Sequence, residues 1–264
     1  MFKIEEEIRD FLEAGMTDSD AILDGNVVPS GGATVTVFVA QPPTASRIVI
    51  QPVSNTGDVK AGAVTFSGTD GDSNSITEDV TFVDNDTRKL RTNKLFKTIT
   101  SIVWLTQDGS TGEWDVGYSK INRYYVGSIK PQKIPNAYLP ALTVVGTNED
   151  LISNQLSTAR DKYTFSVKIK VIINAFSKVN ATSGVDDDNV LDVQKHMKQL
   201  IAERDADMKP IATSVLGLLR SNVRGVDYLF SNNVSIAYEE ENIAGTQYFI
   251  GTVTVDAITR LNSR

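Results

Sequence analysis

Cysteine is absent from the 264 residues, which excludes disulfides, thiol catalysis and cysteine-bound metal. Histidine occurs once, as His196, so no metal site can be built from several imidazoles. A lone histidine inside the helical stretch VLDVQKHMKQLIAERDAD reads as a surface or partly packed side chain rather than a general base. The sequence has no G-x-S-x-G turn for a nucleophile, and neither G-x-x-x-x-G-K-[ST] nor G-x-G-x-x-G for a phosphate. No catalysis, cofactor or metal is therefore expected. No run approaches the roughly 20 apolar residues that span a bilayer, so no membrane partner is expected either. Positive charge is in deficit, with Lys+Arg 26 against Asp+Glu 33, a net −7 that speaks against sequence-specific nucleic-acid binding. The opening MFKIEEEIRDFLEAG is acidic and amphipathic, unlike a basic-then-apolar leader, and points to a cytoplasm or an assembly made there.

What the chain does hold is alternation. In YTFSVKIKVIINAF, residues 163–176, Tyr163, Phe165, Val167, Ile169, Val171 and Ile173 share one parity. Thr164, Ser166, Lys168 and Lys170 share the other, which predicts a long strand with one dry face and one cationic face. Before it, Phe2, Ile4, Ile8, Phe11 and Leu12 follow helical spacing, and Gly15 stands where a C-terminal cap would. From residue 32 to 126 the pattern becomes short strands at TVTVFV, RIVIQP, GAVTFSG, ITEDVTFV, KTITSIVWL, EWDVGYS and NRYYV. The turns NTGD, TDGDSNS, DNDT and QDGSTG separate them, the pattern of an immunoglobulin-like β-sandwich. The proline-bearing GSIKPQKIPNAYLPALTVVGTNEDLI reads as a linker or wrapping strand. A helix from Val190 is ended or kinked by Pro210, IATSVLGLLRS adds a helical piece, and a hairpin of VSIAYEEE and QYFIGTVTVDAITR closes the chain. The fold class expected is α+β, an antiparallel sheet with packing helices. Residues 1–31 and 127–264 form its core domain and residues 32–126 the inserted sandwich.

Each candidate for chemistry has a plainer reading. Asp70, Asp72 and Asn74 alternate as in a calcium loop, but Ser75 and Thr81 stand where Gly and Glu would be needed, so a β-turn is expected. Asp186, Asp187 and Asp188 read as a solvated loop that favours the next helix N-terminus. Trp104 and Trp114 would form a sugar platform if exposed and sandwich core if buried, the latter being favoured. Glu239, Glu240 and Glu241 crowd like charge at a strand end, the mark of an exposed segment.

Two stretches resemble known families. AVTFSGTDGDSNSITEDVTFVDN followed by KLFKTITSIVWL is similar to β-sandwich modules of tailed-bacteriophage structural proteins. The order of N-terminal helix, IPNAYLPALTVVGT, YTFSVKIKVIINAF, helix and C-terminal hairpin resembles the phage tail-terminator fold. That resemblance implies a virion protein assembled in the bacterial host cytoplasm. It implies a homo-oligomeric ring, as a hexamer, that ends the tail tube and joins it to the head–tail connector. Tube or sheath subunits would be partners, and DNA would pass through the lumen. In a ring, Lys168 and Lys170 would line that lumen or meet Glu239, Glu240 and Glu241 of an adjacent subunit, unless they simply face water. Another tail or head–tail adaptor subunit, or a carbohydrate-binding sandwich protein, is the alternative.

Overall fold

The structure, a computed structural model, describes residues 2–153, 160–174, 190–221 and 228–262. Its elements run α1 (Phe2–Gly15), β1 (Thr17–Val27), β2 (Thr34–Val35), β3 (Ser46–Ser54), β4 (Gly62–Thr69), β5 (Ser75–Phe82), β6 (Leu90–Phe96), β7 (Thr98–Val103) and β8 (Glu113–Ser119). They continue with β9 (Arg123–Val126), β10 (Ala141–Ser153), β11 (Arg160–Asn174), α2 (Val190–Ala202), α3 (Val215–Ser221), β12 (Tyr228–Ile243) and β13 (Thr246–Asn262). Antiparallel sheets dominate, and among the described residues only β9 and β10 pair in parallel. Two units separate: residues 17–122, and residues 2–16 together with the described residues from 123 onward. The first helix therefore belongs with the second half of the chain, and residues 17–122 stand between them in sequence.

The inserted unit has two four-stranded sheets, ordered β1-β8-β3-β6 and β2-β7-β4-β5. Strand alternation sends Ile48, Ile50, Trp114 and Val116 from one sheet, and Val64, Phe66 and Ile102 from the other, into a shared core. Trp114 sits 4.9 Å edge-on to Phe82 and 5.4 Å from Trp104, contacts worth about 0.5–1.5 kcal/mol each beyond area burial. The division lies at 16/17 and 122/123, not at the expected 31/32 and 126/127. Residues 17–27 were expected as a polar lead-in to the other domain, yet they pair with β8 as an outer strand, and Arg123–Val126 pairs with β10. The expected strand TVTVFV is a sheet-switching segment. Thr34 and Val35 pair with β7, and the Val39 amide then donates to the Ile22 carbonyl of β1 at 3.1 Å. Phe38 packs on the core while Val37 and Val39 are 81% and 84% exposed.

In the other unit the order is β12-β13-β11-β10-β9. β11 is central, flanked by β10 and β13 over most of its length. Phe165, Val167, Ile169, Val171 and Ile173 are all buried, as their shared parity requires. Each such side chain contributes about 1.5–3 kcal/mol on burial. α1 lies against β9 and β10, α2 against β11 and β13, and α3 against both helices. Gly251 of β13 lies under α2, where a Cβ would overlap Ile201 and stand 3.0 Å from Met197 Sδ. Gly15 is a point of close approach and not a left-handed cap, since a Cβ there would overlap the Leu218 side chain of α3.

Of the two expectations for the helix from Val190, ended or kinked, the structure has the ended one, with a second helix after it. α2 stops at Ala202, and Asp205 Oδ1 accepts the Asp207 and Lys209 amides at 2.9 Å each, closing a tight reversal before Pro210. Ser214 then opens α3 by accepting the Gly217 amide at 3.2 Å. Ala244 and Gly245, at φ 51° and 83°, form the two-residue turn between β12 and β13.

Candidate functional site

Directly opposed residues in antiparallel strands share a face, so the register fixes what surrounds the lysines. Lys168 lies between Val145 of β10 and Thr254 of β13; Lys170 lies between Thr143 and Thr252. Lys168 is exposed and Lys170 half-buried, while Thr143 and Thr252 are buried beside them. One step toward the strand start, Ser166 donates to Asp256 Oδ1 at 2.6 Å, which accounts for the one carboxylate on this stretch. One step further along, Ile172 faces the same way between Ala141 and Ile250 and is buried under Ile134 and Leu139. The proline-bearing segment, expected as a linker or wrapping strand, thus wraps one end of the face before running into the 13-residue strand β10. The open cationic row is therefore short.

The three glutamates are on β12, the terminal strand of the sheet. Glu239 opposes Ile250 and Glu241 opposes Tyr248, so both lie on the lysine face. Glu240 opposes Phe249 and lies on the helix-covered side, where it accepts a hydrogen bond from Gln247 Nε2. β13 intervenes between β12 and β11, and among the described residues no ion pair joins these glutamates to Lys168 or Lys170. Within one chain the expected charge partners are not brought together.

Beside Glu239 and Glu240 a cleft of about 270 Å³ opens, with Met197 and Phe249 as its apolar side chains and Gln194 and Lys198 from α2 on its rim. Tyr238 borders it, 46% exposed. Partial burial pushes its phenol above the usual value, with the nearby Arg204 charge working the other way. The cleft joins an apolar recess and a polar rim to a strand whose outer side pairs with no other among the described residues. His196 is half-buried on α2.

The remaining candidates resolve locally. Asp70 closes the β4–β5 turn by accepting the Asp72 and Asn74 amides at 2.9 Å each, and the Asn74 amide chiefly holds its carboxyl below the usual range. Asp186, Asp187 and Asp188 lie outside the described residues. Among the described residues no group of three or more candidate ligands could hold a metal ion. Trp104 and Trp114 are 4% and 0% exposed, so neither ring offers a face to a sugar. A feature missed in the sequence is β6, a terminal sheet strand within the cation-rich run TRKLRTNKLFK. In comparisons with known proteins, no family model and no curated protein matches this chain.

Proposed function

We propose that the protein is a structural subunit of a tailed-phage virion, a ring-forming tail-terminator or neck protein that ends the tail tube and joins it to the head connector. The observation that carries this reading is the two-faced five-stranded sheet. One face is buried beneath α1, α2 and α3, while the other, beyond the segment that covers Ile172, presents Lys168, Lys170 and Thr254 with no α-helix upon it among the described residues. A sheet of this kind suits a ring wall, with a helical side and a strand side. The order of helix, strand pair, helices and closing hairpin supports the same reading through its resemblance to tail terminators. In the ring, six copies place the lysine face toward the lumen, where phosphate backbones of passing DNA meet scattered cations without base readout. The sandwich, read as an immunoglobulin-like module, decorates the assembly.

The experiment is to mix purified protein with growing or preformed tail tubes and view the tube ends by electron microscopy. Tubes of uniform length with a ring at one end are expected. Tubes that keep elongating with bare ends, beside a protein that stays monomeric, would overturn the reading.

A further inference from the structure

In an acidic chain, residues 87–97 form a basic island. TRKLRTNKLFK holds Arg88, Lys89, Arg91, Lys94 and Lys97 with no carboxylate among them. Its strand β6 is the terminal strand of the β1-β8-β3-β6 sheet. Arg88 is matched locally, gripping the buried Asp86 carboxylate at 2.8 and 2.6 Å. Arg91 opposes Val49 of β3, and Lys89, half-buried, lies near both Arg91 and Asp115. Burial first, and the Arg91 charge second, push the Lys89 ammonium below its usual value, with Asp115 opposing. Cations crowded on a partly dry surface gain when an outside carboxylate arrives. Lys94 is exposed nearby.

The opposite sign occurs on another terminal strand. Glu239 and Glu240 are exposed and Glu241 half-buried on β12, whose outer side pairs with no strand among the described residues. With Glu239 and Glu241 on one face of this edge and Glu240 on the other, the strand repels its own kind and accepts cations.

We propose that the β6 cations of one copy dock on the β12 glutamates of a second copy, head to tail. The proposal rests on the ring-subunit reading and names the contact that builds the ring. Two different patches make a heterologous interface, which propagates until rotation closes it. It also gives the glutamates a partner other than Lys168 and Lys170. Those lysines sit on a strand flanked on both sides, level with buried threonines, whereas β6 and β12 are both terminal. The contact is made by side chains. The bulged backbone of β6 is already engaged, with Glu78 accepting the Asn93 and Lys94 amides at 2.6 and 2.7 Å. Such a contact weakens with salt, because the screening length shrinks from about 10 Å at 0.1 M to about 3 Å at 1 M.

The test is a charge swap on the full chain, read by sedimentation equilibrium in solution and on tail tubes at low salt. One variant carries Glu239→Lys, Glu240→Lys and Glu241→Lys; a second carries Lys89→Glu, Arg91→Glu and Lys94→Glu; a third carries all six. Each single-patch variant is expected to raise the half-assembly concentration about tenfold or more, and the six-site variant to restore it. Circular dichroism verifies that all three are folded. If the wild type assembles and the single-patch reversals leave its midpoint unchanged, the contact is wrong while the ring-subunit reading stands. Reversals that weaken assembly without rescue in the six-site variant overturn the contact as well. A wild type that stays monomeric both in solution and on tubes overturns both proposals.

Discussion

Gly251→Ala probes how α2 is seated on the strand core. The added methyl would overlap Ile201 Cδ1 and lie 3.0 Å from both Ile201 Cγ1 and Met197 Sδ. Overpacking of this kind costs about 1–3 kcal/mol. Relief of glycine's backbone entropy in a strand offsets about 0.5–1 kcal/mol, leaving a net loss of about 1–2 kcal/mol. Ile201 is fully buried, and Ile201→Val alone costs about 0.5–1.5 kcal/mol. Valine lacks the atom that collides, so the double variant is expected to be no less stable than Gly251→Ala alone. The resulting coupling is at least the cost of Ile201→Val alone, about 0.5–1.5 kcal/mol. Both tryptophans lie in the sandwich core, so their emission follows that unit and serves as an internal control. The sheet unit is followed separately by amide hydrogen exchange along β11 and β13. Strictly additive losses, or a neutral Gly251→Ala, would refute the packing of α2 over Gly251.

In the sandwich, Gly68→Ala meets backbone, since a Cβ would overlap the Thr98 carbonyl oxygen and lie 2.9 Å from its carbon. A loss of about 3 kcal/mol or more is expected in urea melts followed by tryptophan emission, with sheet-unit exchange unchanged. Asp86 is held far below the usual carboxylate range, first by the Arg88 side-chain bond, with burial opposing. A lowered folded pKa means its stabilisation is complete above the unfolded value of about 4 and is lost as pH falls through the folded value. Asp86→Asn should therefore flatten the acid limb of sandwich stability in melts taken from pH 7 downward; an unchanged limb would assign it elsewhere. Titration with surface polysaccharides should leave tryptophan emission unshifted, because Trp104 and Trp114 are buried; a saturable shift would revive the adhesion reading.

The sequence announced its elements wherever hydrophobic period and pairing agreed. β11, β4 and the β12–β13 hairpin were visible because one face of each is continuously apolar or their turn chemistry is unambiguous. β1 was not, since its register with β8 shifts twice, between Asp18 and Leu23 and between Leu23 and Asn26, which breaks the period of two. β6 was hidden by its cations and by a bulge in which the Thr92 hydroxyl replaces a backbone carbonyl, accepting the Ile48 amide at 2.9 Å. Sheet switching in TVTVFV, and the burial of Ile172 on a face that looked wet, depend on segments distant in sequence. Composition near Ile172 carries no trace of Ile134 and Leu139 closing over it. For the candidate site, Lys168 and Lys170 could be placed on one face from parity alone. The separation of Glu239 and Glu241 from Glu240 needed only alternation as well, but the edge position of β12 needed the whole sheet order.

The central claim is that copies of this chain close into a ring with the lysine face inward. Electron micrographs of the purified protein, averaged with and without tail tubes, test it directly. Closed particles of six-fold symmetry are predicted, with antibody or gold label attached at Lys168→Cys, in this otherwise cysteine-free chain, located on the inner rim. Monomers under both conditions, or rings labelled on their outer surface, would contradict it.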